Sequence, residues 1–305
     1  MFIEKARLKK PNFLPYIILP ILFLVFVLIN YVFSAGVDTN AMIQTYITQF
    51  GKTPTFVMLM FPLCVGFVFM IVYIQFLQQL GITRATTSRD KIDWKRIFFS
   101  FFLWSSFTIV TTVLAYYSEP KEFILNFSWN KFLPFALIAL VLVPMQTSFE
   151  EYLFRSQIMQ GLGILSKTRW VPFVVSSVLF GLMHIANPEV GEMGYFVLIY
   201  YIGTGFFLGI LTLMDEGLEL ALGFHAANNL VGALLVTTNW SALQTESVFI
   251  SKALPSASTD VLIPVFIIFP ILLILFSKVY KWNNWKEKLF GKLEISLNND
   301  NNSHF

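Results

Sequence analysis

Thr147-Ser148-Phe149-Glu150-Glu151-Tyr152-Leu153-Phe154-Arg155 follows directly on the apolar run Leu133 to Met145. Pro134 stands at the start of that run and Pro144 near its end, and its length predicts a membrane helix that is still running at the two glutamates. A charge at the bilayer centre costs on the order of 2.5 to 3.5 kcal/mol even on the mildest insertion scale, so charges there are paired, buried in protein and functional. On a helix Glu151 and Arg155 are four apart and share a face, whereas Glu150 points about 100° away. The spacing predicts that Arg155 neutralises Glu151 and leaves Glu150 free to act elsewhere.

Composition places the whole chain with this stretch. Of 305 residues 56% are hydrophobic and 13% charged, and the mean hydropathy is +0.68; soluble domains carry about 25% charged residues. A net charge of +3 with dispersed bases excludes nucleic acid as a partner and leaves the lipid bilayer. The lone cysteine, Cys64, can form no intrachain disulfide and no cysteine-type metal site.

Eight segments are long and apolar enough to cross: 13 to 34, 54 to 78, 97 to 117, 133 to 158, 171 to 187, 195 to 213, 218 to 237 and 261 to 277. The expected fold is an all-α, polytopic membrane helix bundle of about eight transmembrane helices. It divides into an arm (1–12), the first three spans (13–132), a core of spans four to seven (133–237), a loop with the eighth span (238–277) and a tail (278–305). The first span reads as uncleaved, because its apolar run of about 20 residues exceeds a signal core and Phe33 spoils the small-residue pattern ending at Ala35.

Bases cluster in the arm (Lys5, Arg7, Lys9, Lys10), at 84 to 96, at Lys167 and Arg169, and from Lys278 to Lys292, while the alternate connections are poor in them. The positive-inside rule then predicts a cell-membrane protein with both termini cytoplasmic. One connection does not help: Asp215 and Glu216, followed by Glu219, carry no base and read as a solvated turn at a helix N-terminus. Residues Trp282 to Leu293 read as an interfacial helix, and Asn298 to Phe305 as a disordered end. The two halves show no repeat of the transporter kind.

Two of the three histidines lie in apolar spans. Phe180 and His184 share one helix face, as do His225 and Asn229, and Gly181, Ala186, Gly223, Ala226 and Ala227 let helices approach closely. Glu150 or Glu151 with His184, His225 and Asn229 can hydrolyse a bond in two ways. A carboxylate can serve as general base for water while histidine and asparagine hold an oxyanion. Alternatively, Glu150, His184 and His225 can ligate a catalytic zinc with one position open. Counted from the basic ends, Glu150 and His225 lie about 10 to 12 Å deep and His184 about 20 Å, a mismatch that a bent, tilted or later-starting fifth span would remove.

Glu-Glu-x-x-x-Arg at 150 to 155, Phe-x-x-x-His at 180 to 184 and His-x-x-x-Asn at 225 to 229 resemble, in that order, the three motifs of the CPBP family. That family comprises CAAX prenyl proteases and bacteriocin-processing enzymes and is also called Abi. The resemblance covers roughly residues 133 to 235 and implies an intramembrane endopeptidase of eight helices with its site open to the cytoplasm. By position it implies that Glu150 activates water with His184, that Glu151 and Arg155 support them, and that His225 and Asn229 stabilise the oxyanion. Members are described both as metalloproteases and as glutamate-dependent proteases; Asn229, a poor zinc ligand and a good oxyanion donor, favours the second, with no cofactor. The implied substrates are peptides or membrane proteins, in bacteria in peptide or bacteriocin maturation or self-immunity, and a composition rich in Lys, Asn, Ile and Phe is associated with a bacterium of low GC content. A boundary salt bridge and interhelical hydrogen bonds would account for each motif singly, and a non-catalytic membrane scaffold of the same fold is the alternative function.

Overall fold

The computed structural model describes residues 2–5, 13–33 and 36–293. Arg7, Lys9, Lys10, Ala35 and the stretch 298–305, on which expectations were placed above, lie outside the described residues.

Each apolar run forms a helix, since in lipid a backbone can satisfy its polar groups only internally. They are α1 (Leu14–Phe33), α2 (Lys52–Leu77), α3 (Trp94–Ser118) and α4 (Trp129–Ser166), then α5 (Trp170–Leu182), α6 (Leu198–Asp215) and α7 (Glu219–Leu235), and α8 (Ala257–Val279). Among the described residues six helices are long and apolar enough to cross a membrane, α6 being counted with its lead-in from Pro188. The protein is therefore a multi-pass helical membrane protein. The other two are shorter, 13 residues in α5 and 17 in α7, or about 20 and 26 Å against a hydrocarbon core of about 30 Å. The sequence placed both among eight full spans; the fifth instead ends in turns at 183–186, and the seventh gives up apolar length to Glu219, His225, Asn228 and Asn229.

Two helix pairs carry the core. The α7 helix packs most extensively on α3, and α6 on α5. Both approaches need glycine. A Cβ on Gly223 would overlap the Ile97 carbonyl, and one on Gly205 would overlap the Ser177 carbonyl. Helix α4 widens into a π-helical stretch at Tyr152–Ile158 before returning to α geometry up to Ser166. Its residues from Tyr152 to Gly161 are all buried.

The acidic turn between α6 and α7 corrects the sequence reading. Asp215 and Glu219 are buried, not solvated. Arg89 reaches both, with Nη2 3.1 Å from Asp215 Oδ2 and Nη1 3.2 Å from Glu219 Oε2. Arg96 also pairs with Asp215, the Asp93 amide donates to Glu219 at 3.2 Å, and Trp282 Nε1 donates to Asp215 at 3.2 Å. Glu216 accepts from the Phe2 amide at 2.7 Å and lies 3.4 Å from Lys288 Nζ. The bases missing from this turn are supplied by the 84–96 connection and by 282–293.

Those bonds, with Arg169–Glu4 at 3.1 Å and the Thr168–Lys292 bridge, gather the basic-rich segments on one face. The helix Trp285–Phe290 docks there with Leu289 and Leu293 in the core, so it sits on protein rather than on lipid alone. On the opposite face a small sheet, missed in the sequence, joins β1 (Phe123–Leu125), β2 (Val236–Thr237) and β3 (Phe249–Ser251) in the order β1-β3-β2. The alternation of basic-rich and basic-poor connections is thus a real division of the molecule into two faces.

Gly205→Val should lower membrane abundance and the unfolding midpoint in detergent, because the new side chain meets backbone that cannot yield; overpacking of this kind costs about 1–3 kcal/mol or more. Thermal unfolding followed by size-exclusion chromatography checks this, and an unshifted midpoint would contradict the close approach.

Candidate active site

Helix α4 presents Gln146, Glu150 and, one residue further round, Glu151 and Arg155. Gln146 and Glu150 are four apart, so Gln146 Nε2 donates to Glu150 Oε1 at 2.7 Å. Asn229 Nδ2 donates to Gln146 Oε1 at 3.3 Å, Asn228 Nδ2 to Asn229 Oδ1 at 3.1 Å, and Trp104 Nε1 to Asn228 Oδ1 at 3.1 Å. This relay ties α3 and α7 to Glu150.

The second glutamate has a different fate. Glu151 and Arg155 are both fully buried, with Nη1 donating to Oε1 at 3.1 Å. Arg155 Nη2 donates to the Gly205 carbonyl at 3.1 Å, and Ser177 Oγ donates to the same oxygen at 3.0 Å. His225 approaches Glu151 Oε1 from α7 with Nδ1 at 2.7 Å. Since Arg155 shares that oxygen, Glu151 is the acceptor and Nδ1 the donor. The other ring nitrogen of His225 lies 3.5 Å from Glu150 Oε2, too long for a good direct hydrogen bond.

Phe180 packs at the centre. Its ring lies 5.4 Å from that of Phe154, 5.2 Å from that of His184 and 5.7 Å from that of His225, and the Arg155 guanidinium sits 4.4 Å above it. The Phe180 carbonyl accepts from His184 Nδ1 at 2.9 Å. That bond leaves Nε2 as the nitrogen with a lone pair. The His184 ring stacks on Tyr201 at 4.2 Å.

A cavity of about 430 Å³ joins these groups. Gln146, Glu150, His184, Asn228 and Asn229 line it, with Phe23, Met60 and Leu63 as apolar wall and Asn187, Glu189, Ala242 and Leu243 on the side of the basic-poor face. Asn187 also borders a second cavity of about 590 Å³ lined by the 36–40 and 190–195 segments. The resemblance implies a site open towards the cytoplasm, on the basic-rich side. The cavity lies instead towards the opposite face, because the buried Arg89–Arg96–Asp215–Glu219 network and residues 152–161 of α4 fill the basic-rich end.

The depth mismatch also resolves. Helix α4 runs on to Ser166, so Glu150 is about 24 Å from its basic-face end, close to the 21 Å of His184 from Trp170. His225 reaches the same level only about 9 Å into α7, because that helix starts below the surface with Glu219 fully buried. Span ends are not level, and counting from them misplaced the residues.

Of the sequence-predicted site residues, Glu150, His184 and Asn229 share the cavity, whereas Glu151, Arg155 and His225 form the support behind it. Zinc would need Glu150, His184 and His225 together. Among the described residues no group of three His, Cys, Asp or Glu side chains could hold a metal ion. Both nitrogens of His225 face carboxylates, and Phe180 packs against both imidazoles. The residues as arranged do not fit that ligand set.

Residues 128–231 match the family model described as "Type II CAAX prenyl endopeptidase Rce1-like". This part of the chain is similar to that family. The match holds all three motifs and agrees with the resemblance they carry. A protein of Bacillus subtilis (strain 168), named "Uncharacterized protein YyaK", is 30% identical over 165 residues, 54% of this chain and 55% of the relative. The chain thus spans about half the length of the curated relative it matches. No solved structure matches.

Within the matched region the sequence reading passed over Gln146, Asn187, Glu189 and Tyr201. Gln146 had a signal: it is polar, in an apolar helix, and four residues before Glu150. The others had none: Asn187 and Glu189 flank Pro188 between two apolar spans, and Tyr201 lies within the sixth span. Arg155→Ala should reduce folded protein severely, because it leaves a buried carboxylate short of its guanidinium, a loss of about 3–5 kcal/mol. Membrane abundance and monodispersity of the variant are the measurements, and wild-type levels would refute the pairing.

Proposed function

We propose that this chain is an intramembrane endopeptidase of the CAAX-protease type in which Glu150 activates the attacking water. The observation that carries the reading is the shared cavity: Glu150, with one oxygen fixed by Gln146, stands in one wall with the His184 imidazole and the amides of Asn228 and Asn229. Water held between Glu150 and His184 Nε2 loses its proton to Glu150 as its oxygen attacks the scissile carbonyl carbon. The oxyanion accepts from Asn229, whose Nδ2 has a second hydrogen beyond the one given to Gln146, and from Asn228. Glu150 then returns the proton to the leaving amine. His225 acts here through Glu150 and Glu151 as a positioning residue, in place of the oxyanion role implied by the resemblance. Burial of the site in a low dielectric strengthens each of these interactions.

The substrate is a peptide or membrane protein reaching the cavity within the bilayer, and peptide maturation or self-immunity in a bacterium is the setting the resemblance implies. Glu150→Gln keeps the bond from Gln146 and removes the base. Cleavage of a quenched peptide library by the purified protein should fall on the order of 10²- to 10⁴-fold, at unchanged abundance and with the wild-type rate surviving chelation. Wild-type cleavage by Glu150→Gln would overturn the mechanism. Unchanged host phenotype with Glu150→Gln, His184→Ala and His225→Ala at normal abundance would replace the enzyme by a scaffold.

With the basic-rich face cytoplasmic, the cavity lies towards the outside of the cell. In a Cys64→Ser background, Ala253→Cys should react with an impermeant thiol reagent on intact cells, and Lys167→Cys only after lysis. The reverse labelling would invert the topology.

A further inference from the structure

The cavity has a charge imbalance. Glu150 and Glu189 line it, and among the described residues no Lys or Arg side chain does. Glu150 is held by Gln146 and approached by His225. Glu189 also has one oxygen that accepts, from the Ala242 amide at 2.9 Å, and a buried Oε2 that, like Oε2 of Glu150, meets no hydrogen bond of ordinary geometry; its side-chain neighbour is the uncharged Tyr201 hydroxyl, where Glu150 has His225. An ionised carboxylate in such a place is costly unless a cation joins it. Nothing in the lining provides one, and the walls beside it suit the stem of a long side chain: Phe23, Met60 and Leu63 are apolar and Tyr200 and Tyr201 aromatic. The aromatic rings also favour a cation near their faces.

We infer that Glu189 is the recognition residue of this cavity and receives the cationic side chain, lysine or arginine, of a substrate polypeptide that enters from the basic-poor face. The inference rests on the peptidase reading for its place beside the scissile bond, but not for the contact itself. Glu189 is two residues after the Asn187 shared by the two cavities and lines one cavity together with Glu150, so a chain bound there can meet both carboxylates. Its bond to Ala242 couples that recognition to the connection after α7, which also borders the site.

The test uses full-length protein in detergent and paired peptides that differ only in lysine against norleucine, a neutral chain of similar length. Wild type should cleave the lysine member at least about tenfold more efficiently in kcat/KM, equivalent to about 1.4 kcal/mol. Glu189→Gln should lower only the lysine member to the norleucine level, and Glu189→Asp should retain the preference. Equal cleavage of both members by wild type, or a preference that survives Glu189→Gln, overturns the inference while leaving the peptidase reading intact. Labelled peptides binding to Glu150→Gln supply the independent arm. About tenfold tighter binding of the lysine member, lost on adding Glu189→Gln, upholds the recognition role even if wild type cleaves nothing, in which case the peptidase reading alone falls. Absent or indifferent binding counts against Glu189. Should Glu189→Gln not fold, the wild-type comparison of the paired peptides still decides.

Discussion

A single buried carboxylate governs this architecture. Glu151 has no exposed surface, and an ion removed from water must be repaid in contacts. The repayment comes from its own helix through Arg155 and from α7 through His225. Arg155, itself buried, needs further acceptors and finds the Gly205 carbonyl, which Ser177 also uses. Four helices are thereby placed by one charge. Gly205 has to lack a side chain because the α5 backbone passes where its Cβ would be, and Gly181 faces the Ile202 backbone in the same seam. The sparse small residues of the core are the steric condition for that charge to be satisfied.

The stretch 147–155 contained the pairing of Glu151 with Arg155 in its spacing, and the structure keeps it. The wide turn at 152–158 was not legible, since periodicity supplies no signal for an inserted residue in a helix that continues. Nor was the division of labour in the site. His225 and Asn229 do lie on one face of α7, but they serve different glutamate neighbours: the histidine turns to Glu151, while the asparagine reaches Glu150 through Gln146. Glu189 was hidden for another reason. It follows Asn187-Pro188, a strong turn signal, and nothing local reveals that a turn folds back over a cavity built by distant helices.

The apolar runs were legible as helices but less so as full crossings, because length in sequence is not thickness in space. Helix α4 continues well past the point where its hydrophobic run ends, and α7 begins beneath the surface. The latter is possible only because arginines from another connection enter with it. A solvated acidic turn and a buried acidic turn have the same local sequence; the difference lies in Arg89 and Arg96, more than a hundred residues earlier.

Those two arginines have a consequence for how the chain is threaded. The α6–α7 hairpin carries no basic residue in its own turn, so charge bias gives it little instruction on which way to insert. Its acids are matched by a connection already synthesised and already committed to one side. The hairpin inherits its orientation from that earlier decision, as a bolt is positioned by its keeper, and Trp282 and Lys288 secure it once α8 has crossed. Polarity in this part of the protein is thus a property of a pair of connections far apart in the chain, and neither connection specifies it alone.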